Sequence, residues 1–189
     1  MTLVAGVILV QLVSRGQPET GTAEETKTEI KNEVNSNSIR IGNLLANVPD
    51  TWMGIRPSSS MRLREFRLGV AADDATLAIF KNIGGTIDNN LERWSGQFGY
   101  SLSDSEVNIR AENINGMQVS IISILGTYTN TMAFSNATQP KPNYRLLGAI
   151  ADTPDGLYYF KLTGPNTVIM GRTKEFTRFI QSLRYDEIG

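Results

Sequence analysis

Residues 84–99, GGTIDNNLERWSGQFG, decide the predicted fold because a tight glycine turn leads directly into one amphipathic helix. The apolar residues of this helix recur at spacings of 4, 3 and 4 and form one continuous stripe: Ile87, Leu91, Trp94 and Phe98. Thr86 or Asp88 is the expected N-cap, and the helix is expected to end near Phe98. We therefore predict that this stripe, Trp94 included, packs on a core.

The opposite side of the same helix carries polar residues at spacings of 3 and 4, namely Asn90, Arg93 and Gln97. A solvated helix face explains such a trio, and spacing alone does not distinguish this interpretation from a binding site. We hypothesise that Arg93 and Gln97 meet a neighbouring strand that carries Arg62. The result would be a fixed polar patch that either orders the helix on the sheet or receives an acidic group of a partner.

The segment before the helix has a local excess of arginine that a chain of near-neutral charge does not require. Its arginines are opposed only by Glu65, and they are Arg56, Arg62, Arg64 and Arg67. Guanidinium groups present planar donor pairs that suit a carboxylate or a phosphate. Solubilising charge, or pairing with acidic neighbours, is the alternative. The helix and this segment together give the candidate anion-binding patch: Arg62, Arg64, Asn90, Arg93 and Gln97.

Strand patterns dominate the rest of the folded part. Two hairpins are predicted, one turning at Asn115-Gly116 and the other at Asp155-Gly156. A second helix, from about Thr173 to Arg184, carries its own apolar stripe. The parity of the apolar residues shifts along SMRLREFRLG, which predicts a β-bulge near Arg64-Glu65. A largely antiparallel sheet with helices packed on it, an α+β fold, gives each of these apolar faces a partner.

The composition excludes several classes of function. The 189 residues carry a formal net charge of −1, so the chain lacks the basic field expected of a nucleic-acid-binding domain. The chain contains no His and no Cys, which excludes a Ser-His-Asp or Cys-His nucleophile, a thiol redox centre and the usual zinc ligands. The acidic residues lack the spacing of a calcium loop. We therefore predict no metal site, no cofactor, no nucleic-acid partner and no catalytic residue.

The N-terminal part of the chain changes character twice. Residues 1–13 include the apolar run LVAGVILVQLV, which is shorter than the roughly 20 residues of a membrane-spanning helix and matches a hydrophobic signal or anchor segment. Residues 14–38 are polar and predict a flexible linker, and residues 39–189 are expected to form a single domain. We expect an exported protein, periplasmic or membrane-anchored, whose membrane contact is made only by the first segment. A buried N-terminal element is the alternative.

A series of short motifs extends from about Asn47 to Arg184. In order, the motifs are VPDTW, SSSMRLREFRL, LAIF, GGTIDNNLERWSGQF, GTY, YRLLGAI, YYFKLTGP and FTRFIQSLR. This order resembles an uncharacterised family of exported bacterial proteins, whose fold is similar to that of the oxygen-evolving-complex protein PsbP and the Ran-binding nuclear import factor of the same superfamily. The resemblance implies a PsbP-like αβα sandwich that serves as a docking or accessory module. Many members resemble lipoproteins, whereas this chain has no Cys for lipid attachment.

Three functions remain open on the sequence. We expect a non-catalytic binding or accessory domain outside the bacterial inner membrane, with another envelope protein or an anionic ligand as its partner. The alternatives are a cell-envelope hydrolase or transferase that uses Asp, Glu, Ser or Tyr, and an intracellular protein-docking module. Converging carboxylates in a largely apolar pocket favour the enzyme, whereas a flat polar face around Arg62 and Arg93 favours the binding domain.

Overall fold

The computed structural model describes residues 37–69, 75–129 and 139–187. The predicted signal or anchor segment, and all of the predicted linker before residue 37, lie outside these ranges. No helix within the described ranges is both long enough and apolar enough to cross a bilayer.

The described residues form ten strands and two helices. In chain order these are β1 (Ser38–Ile41), β2 (Leu44–Asn47), β3 (Trp52–Ile55), β4 (Arg62–Leu68), β5 (Ala75–Lys81), α1 (Ile87–Gly96), β6 (Val107–Ile114), β7 (Met117–Tyr128), β8 (Lys141–Thr153), β9 (Gly156–Pro165), α2 (Asn166–Gln181) and β10 (Arg184–Tyr185).

Seven of these strands build one large sheet in the order β3-β4-β5-β9-β8-β7-β6, in which every neighbouring pair is antiparallel. The other three form a small antiparallel sheet in the order β1-β2-β10. Ile41, Leu44 and Ala46 of the small sheet join the same core as Phe179 of α2. The predicted largely antiparallel sheet is confirmed, and the small sheet is an addition that the sequence patterns did not predict.

The two helices pack on opposite faces of the large sheet, as successive residues of β8 demonstrate. Leu146 and Ile150 belong to a core with Trp94 of α1, whereas Leu147 and Ala149 belong to a second core with Phe179 of α2. Because side chains alternate between the two faces of a strand, these cores lie on opposite sides of the sheet. The α+β class and the αβα sandwich are therefore confirmed.

Helix α1 begins at the predicted position because Thr86 closes a capping box. Thr86 Oγ1 accepts a hydrogen bond from the Asn89 backbone N–H at 3.1 Å, and Asn89 Oδ1 accepts one from the Thr86 N–H at 3.2 Å. The helix ends at Gly96, slightly before the predicted end, and Gln97 is its C-cap. Trp94 is 2% exposed, which confirms its predicted place in the core.

Helix α2 begins at Asn166, well before the predicted start near Thr173. Glycine has a low helix propensity, so Gly171 interrupts the helical pattern at the sequence level, although Ile169 before it is fully buried in the core. The helix ends at Gln181, before the predicted Arg184, because Arg184 pairs with β2 as part of β10.

Candidate functional site

A cavity of about 430 Å³ lies on the α1 side of the large sheet. The apolar stripe of α1 packs mainly on β7, β8 and β9, so this ten-residue helix leaves much of the β4 and β5 surface uncovered. Residues of β4, β5 and β9 line the cavity from the sheet, α1 contributes Arg93 and Trp94, and the C-cap of α1 contributes Gln97. The ends of β7 and β8 add Tyr128 and Tyr144.

The sheet beneath the cavity contains one row of paired residues across four strands. The row consists of Glu65 on β4, Ala78 on β5, Lys161 on β9 and Gly148 on β8. Lys161 is therefore flanked by a residue with a single methyl group and a residue with no side chain. Ala78 leaves space above the sheet on one side of Lys161, where it lines the cavity, whereas Trp94 covers Gly148 on the other side.

Cationic side chains from three elements line this cavity: Arg62 on β4, Arg93 on α1 and Lys161 on β9. Lys141, at the start of β8, adds a fourth positive group. Glu65 is the single carboxylate among the described lining residues. The described walls therefore carry an excess of positive charge, although the whole chain has a formal net charge of −1.

Arg62 is held beside the cavity by Glu65. Its Nη1 lies 2.5 Å from Glu65 Oε1, and its Cζ lies 5.7 Å from the centre of the Phe80 ring. Desolvation raises the pKa of the Glu65 carboxyl, but hydrogen bonds from the Ser58 backbone N–H and from Arg62 outweigh this and keep that pKa below its usual value. Glu65 is therefore ionised at neutral pH. Arg62 Nε is buried and has no hydrogen-bond partner in the described part of the chain.

Asn90 orients Arg93. The Asn90 side chain is buried, and its Nδ2 donates to the carbonyl oxygens of Gly84 at 3.0 Å and Thr86 at 2.8 Å, in the turn that leads into α1. This leaves Asn90 Oδ1 to accept a hydrogen bond from Arg93 Nη2 at 2.5 Å. Arg93 remains exposed and lines the cavity. Asn90 is thus a positioning residue for the guanidinium group of Arg93.

Lys161 is the cation most strongly affected by its surroundings. Its Nζ donates a hydrogen bond to Gln97 Oε1 and lies 5.6 Å from the centre of the Tyr128 ring. Within the described ranges, no ion pair joins Lys161 to a carboxylate. Desolvation by the surrounding protein, followed by the positive charges of Arg93 and Arg62, lowers the pKa of the Lys161 amine to about 7. The amine therefore titrates near neutral pH.

Aromatic rings form another part of the cavity wall. Tyr128 and Tyr144 stack with their ring centres 6.1 Å apart and their planes 13° from parallel. Lys141 Nζ lies 5.4 Å from the centre of the Tyr144 ring, and Trp94 and Phe80 contribute further apolar surface. Desolvation raises the pKa of the Tyr128 hydroxyl, so this group is neutral at physiological pH. The cavity suits a ligand that combines an anionic group with a small apolar body.

The structure brings four residues of the predicted patch together. Arg62, Arg93 and Gln97 line the cavity, and Asn90 lies behind Arg93. The surface they form is neither flat nor fully solvated, because Gln97 and Asn90 are only 5% and 2% exposed. Gln97 is buried with its amide oxygen bonded to Lys161, which explains how a polar residue is accommodated at this position.

Arg64 is separated from this group by a β-bulge. The register between β4 and β5 shifts between Arg62 and Arg64, close to the predicted position. Arg62 is paired with Phe80, on the cavity side, whereas Arg64 is paired with Ile79, which belongs to the core on the α2 side. Arg64 lies on that opposite face, where its Nη2 is 3.4 Å from the Arg40 carbonyl oxygen. The predicted grouping of Arg64 with Arg62 is therefore corrected.

The sequence prediction omitted Lys161, Tyr128 and Tyr144. A signal for Lys161 exists, because it is the only charged residue in GLYYFKLTGP and strand alternation places it on one face with Tyr159 and Thr163. A single cation in an otherwise apolar strand is unusual and indicates a specific role. The two tyrosines carry no comparable signal, since their position depends on the pairing of β7 with β8.

The sequence matches no family model and no curated protein. Among solved structures, the chain is similar to cyanobacterial PsbP from Synechocystis, with a TM-score of 0.48 and 13% identity, covering 76% of this chain and 86% of that one. It is also similar to a Pseudomonas aeruginosa protein of unknown function, with a TM-score of 0.42 and 11% identity, covering 77% of this chain and 93% of that one.

Proposed function

We propose that this domain is a non-catalytic binding module that holds an anionic group, a carboxylate or a phosphate, in the cavity beside α1. The observation that carries the proposal is the convergence of Arg62, Arg93 and Lys161 on one cavity whose described walls contain a single carboxylate, Glu65. Like charges repel strongly where protein replaces water, so a bound anion lowers the energy of this arrangement.

The cations of the cavity retain donors for such an anion. Arg93 presents five N–H groups, of which one bonds to Asn90, and Lys161 presents three when protonated, of which one bonds to Gln97. Planar guanidinium donors match the oxygen atoms of carboxylates and phosphates, and hydrogen bonds between ionised groups are the stronger ones.

The enzyme alternative has less support from the described residues. A carboxylate-based hydrolase of the glycosidase type requires two carboxyl groups that flank the bond to be cleaved. Glu65 is the single carboxylate among the described lining residues, and it is held ionised by Arg62 and Ser58. A recessed, cationic and partly aromatic cavity favours a small anionic ligand, or a short acidic segment of a partner protein, over a broad docking surface.

For the location of the domain, we propose the outer side of the bacterial inner membrane. The support is the apolar run within residues 1–13 followed by the polar residues 14–38. An alkaline phosphatase fused to the C-terminus, which is active only after export, tests this location. Deletion of residues 1–13 should abolish the reporter activity. An inactive reporter on the full chain would favour the intracellular docking module instead.

Calorimetric titration of the full chain with sodium sulfate, near pH 6.5, tests the anion site. Arg93→Gln and Lys161→Met should each weaken sulfate binding by about tenfold or more, because a hydrogen bond to a charged group contributes about 1.5–3 kcal/mol. Arg64→Gln is the matched control, since it removes one guanidinium from the face of β4 that is opposite to the cavity. It should change the affinity by less than about twofold, as expected for an exposed charge screened by salt.

Two results would contradict the proposal. Equal weakening by Arg64→Gln and Arg93→Gln would indicate a diffuse effect of charge rather than a site. Absence of saturable sulfate binding to the parent protein, with a native circular dichroism spectrum, would show that the cavity does not hold an anion.

A further inference from the structure

We propose that Lys161 captures carbonyl compounds that carry a carboxylate. Its amine forms a reversible imine with the carbonyl carbon of an aldehyde or a 2-oxo acid, and the arginines of the cavity hold the carboxylate. This inference rests on the proposed anion site and adds a ligand class to it. A 2-oxo acid carries an anionic carboxylate and, on the adjacent carbon, an electrophilic carbonyl. The cavity offers a partner for each group.

The Lys161 amine lines the cavity and forms no ion pair with a described carboxylate, and Gln97 supplies its hydrogen-bond acceptor. A structural lysine of the same protein is arranged differently. Lys81 Nζ lies 2.6 Å from Asp155 Oδ2, and this hydrogen bond raises the pKa of the Lys81 amine. An amine paired in that way stays protonated, whereas an unpaired amine among cations loses its proton more readily.

The charged and titratable groups that face Lys161 come from four elements: Arg93 on α1, Arg62 and Glu65 on β4, Tyr128 on β7, and Lys141 and Tyr144 on β8. Desolvation and the charges of Arg93 and Arg62 lower the pKa of the Lys161 amine to about 7, so about half of the amine is neutral at pH 7. For an ordinary lysine, less than about one amine in a thousand is neutral at this pH. The neutral form is the nucleophile.

The reaction balances without an oxidant or a reductant. The lone pair of Nζ forms a bond to the carbonyl carbon, the carbonyl π electrons move to oxygen, and a proton passes from nitrogen to that oxygen to give a carbinolamine. The C–O bond then breaks, the second N–H proton leaves with the hydroxyl group as water, and the C=N bond forms. Protonation of the imine places a positive charge at Nζ beside the carboxylate, which stabilises the adduct.

Reductive trapping with glyoxylate, the smallest 2-oxo acid, tests the inference on the full chain. The protein is incubated with glyoxylate and cyanoborohydride near pH 7 and digested, and the adduct on each lysine is quantified by mass spectrometry. Lys161 should carry at least about tenfold more adduct than Lys174, which is exposed on α2. Sulfate should suppress the labelling of Lys161 by competing for the anion site.

Acetaldehyde, which has a carbonyl group but no carboxylate, is the control reagent for glyoxylate. Arg93→Gln should reduce labelling of Lys161 by glyoxylate more than labelling by acetaldehyde, because the substitution removes a carboxylate contact as well as a nearby charge. Lys161→Arg should remove the preferred adduct with both reagents and leave the labelling of Lys174 unchanged.

Labelling of Lys161 no greater than that of Lys174 would overturn the inference. Equal preference for Lys161 with glyoxylate and acetaldehyde would overturn the assignment of carboxylate-bearing ligands. The sulfate titration separates these failures from failure of the proposed function. Sulfate binding without preferred labelling of Lys161 overturns the imine alone, whereas absence of both overturns the anion site as well.

Discussion

Trp94 lies directly against Gly148, so closely that a Cβ atom built on Gly148 would approach Cζ3 of the indole to 2.5 Å. Gly148 is also the residue of β8 that pairs with Lys161 of β9. Because Gly148 has no side chain, α1 can approach the sheet at the row of residues that contains Lys161. The packing of the helix and the position of one cavity wall depend on the same close contact.

Gly148→Ala should lower the free energy of unfolding by about 1–3 kcal/mol, because the added methyl group overlaps the Trp94 ring in a tightly packed core. Urea denaturation measures the change. Gly171→Ala is the matched control, since no atom lies within 4 Å of a Cβ built there on α2. It should raise the stability by about 0.5–1 kcal/mol through helix propensity. A Gly148→Ala protein as stable as the parent would show that α1 does not pack this closely.

Trp94→Ala should lower the free energy of unfolding by about 3–5 kcal/mol, as expected when a buried aromatic side chain is removed. Trp94 is 2% exposed, and its ring packs edge-on against Tyr159 with centres 6.5 Å apart. Trp52, in the core on the other face of the sheet, remains as a fluorescence reporter of unfolding. A loss below about 1 kcal/mol, the size typical of surface substitutions, would mean that the indole is available for binding instead.

The sequence predicted those features that depend on neighbouring residues. The capping by Thr86 and the apolar stripe of α1 are local patterns, and both appear in the structure. The turn at Asn115-Gly116 is also local: both residues have positive φ, 49° and 88°, which this residue pair adopts readily. The polar trio on α1 was predicted for the same reason, since helical spacing alone places its members together.

The sequence did not predict the features that depend on strand register. A single bulge between Arg62 and Arg64 moves Arg64 to the opposite face of the sheet, and sequence parity located that bulge only approximately. Lys161 owes its lowered pKa to desolvation and to Arg93 and Arg62, which lie far from it in the sequence and reach it only through the folding of α1 and β4 onto one face. No local pattern around Lys161 reports those neighbours.

A second polar cluster, centred on Asp155, connects the β8–β9 hairpin to two other parts of the fold. Asp155 Oδ2 accepts hydrogen bonds from Lys81 at 2.6 Å, Asn43 at 2.8 Å and the Tyr158 hydroxyl at 3.1 Å, and Oδ1 accepts one from Thr153 at 2.7 Å. Desolvation raises the pKa of the Asp155 carboxyl, but the hydrogen bonds from Lys81, Thr153 and Tyr158 outweigh it and lower that pKa overall. The carboxylate therefore stabilises the fold at every pH at which it is ionised.

Asp155→Asn should lower the free energy of unfolding by about 1–3 kcal/mol at pH 7, because it weakens several hydrogen bonds to one charged group. The lowered pKa means that this contribution is present above the unfolded-state value of about 4 and is lost as pH falls through the folded-state pKa. The difference between variant and parent should therefore shrink below about pH 4. Urea denaturation across this pH range measures it, and a difference independent of pH would show that the charge of Asp155 is not what stabilises the cluster.

The affinity of the cavity for sulfate should fall as pH rises above 7, and Lys161 should be the cause. Sulfate binds the protonated amine, whereas the free protein loses that proton with a pKa of about 7. Binding at higher pH must therefore take up a proton, which lowers the affinity by up to about tenfold per pH unit. Sulfate keeps its charge over this range. Glu65 stays ionised because its pKa is lowered, and Tyr128 stays neutral because its pKa is raised.

Calorimetry in two buffers with different ionisation enthalpies measures this proton uptake directly. Lys161→Met should abolish the uptake and flatten the affinity profile between about pH 6 and 9, since the titrating amine is gone. Arg93→Gln should move the fall in affinity to higher pH, because it removes a positive charge that lowers the pKa of the amine. If the Lys161→Met protein retained the pH dependence of the parent, the proton would have to enter at another group, and the assignment of the titration to Lys161 would be wrong.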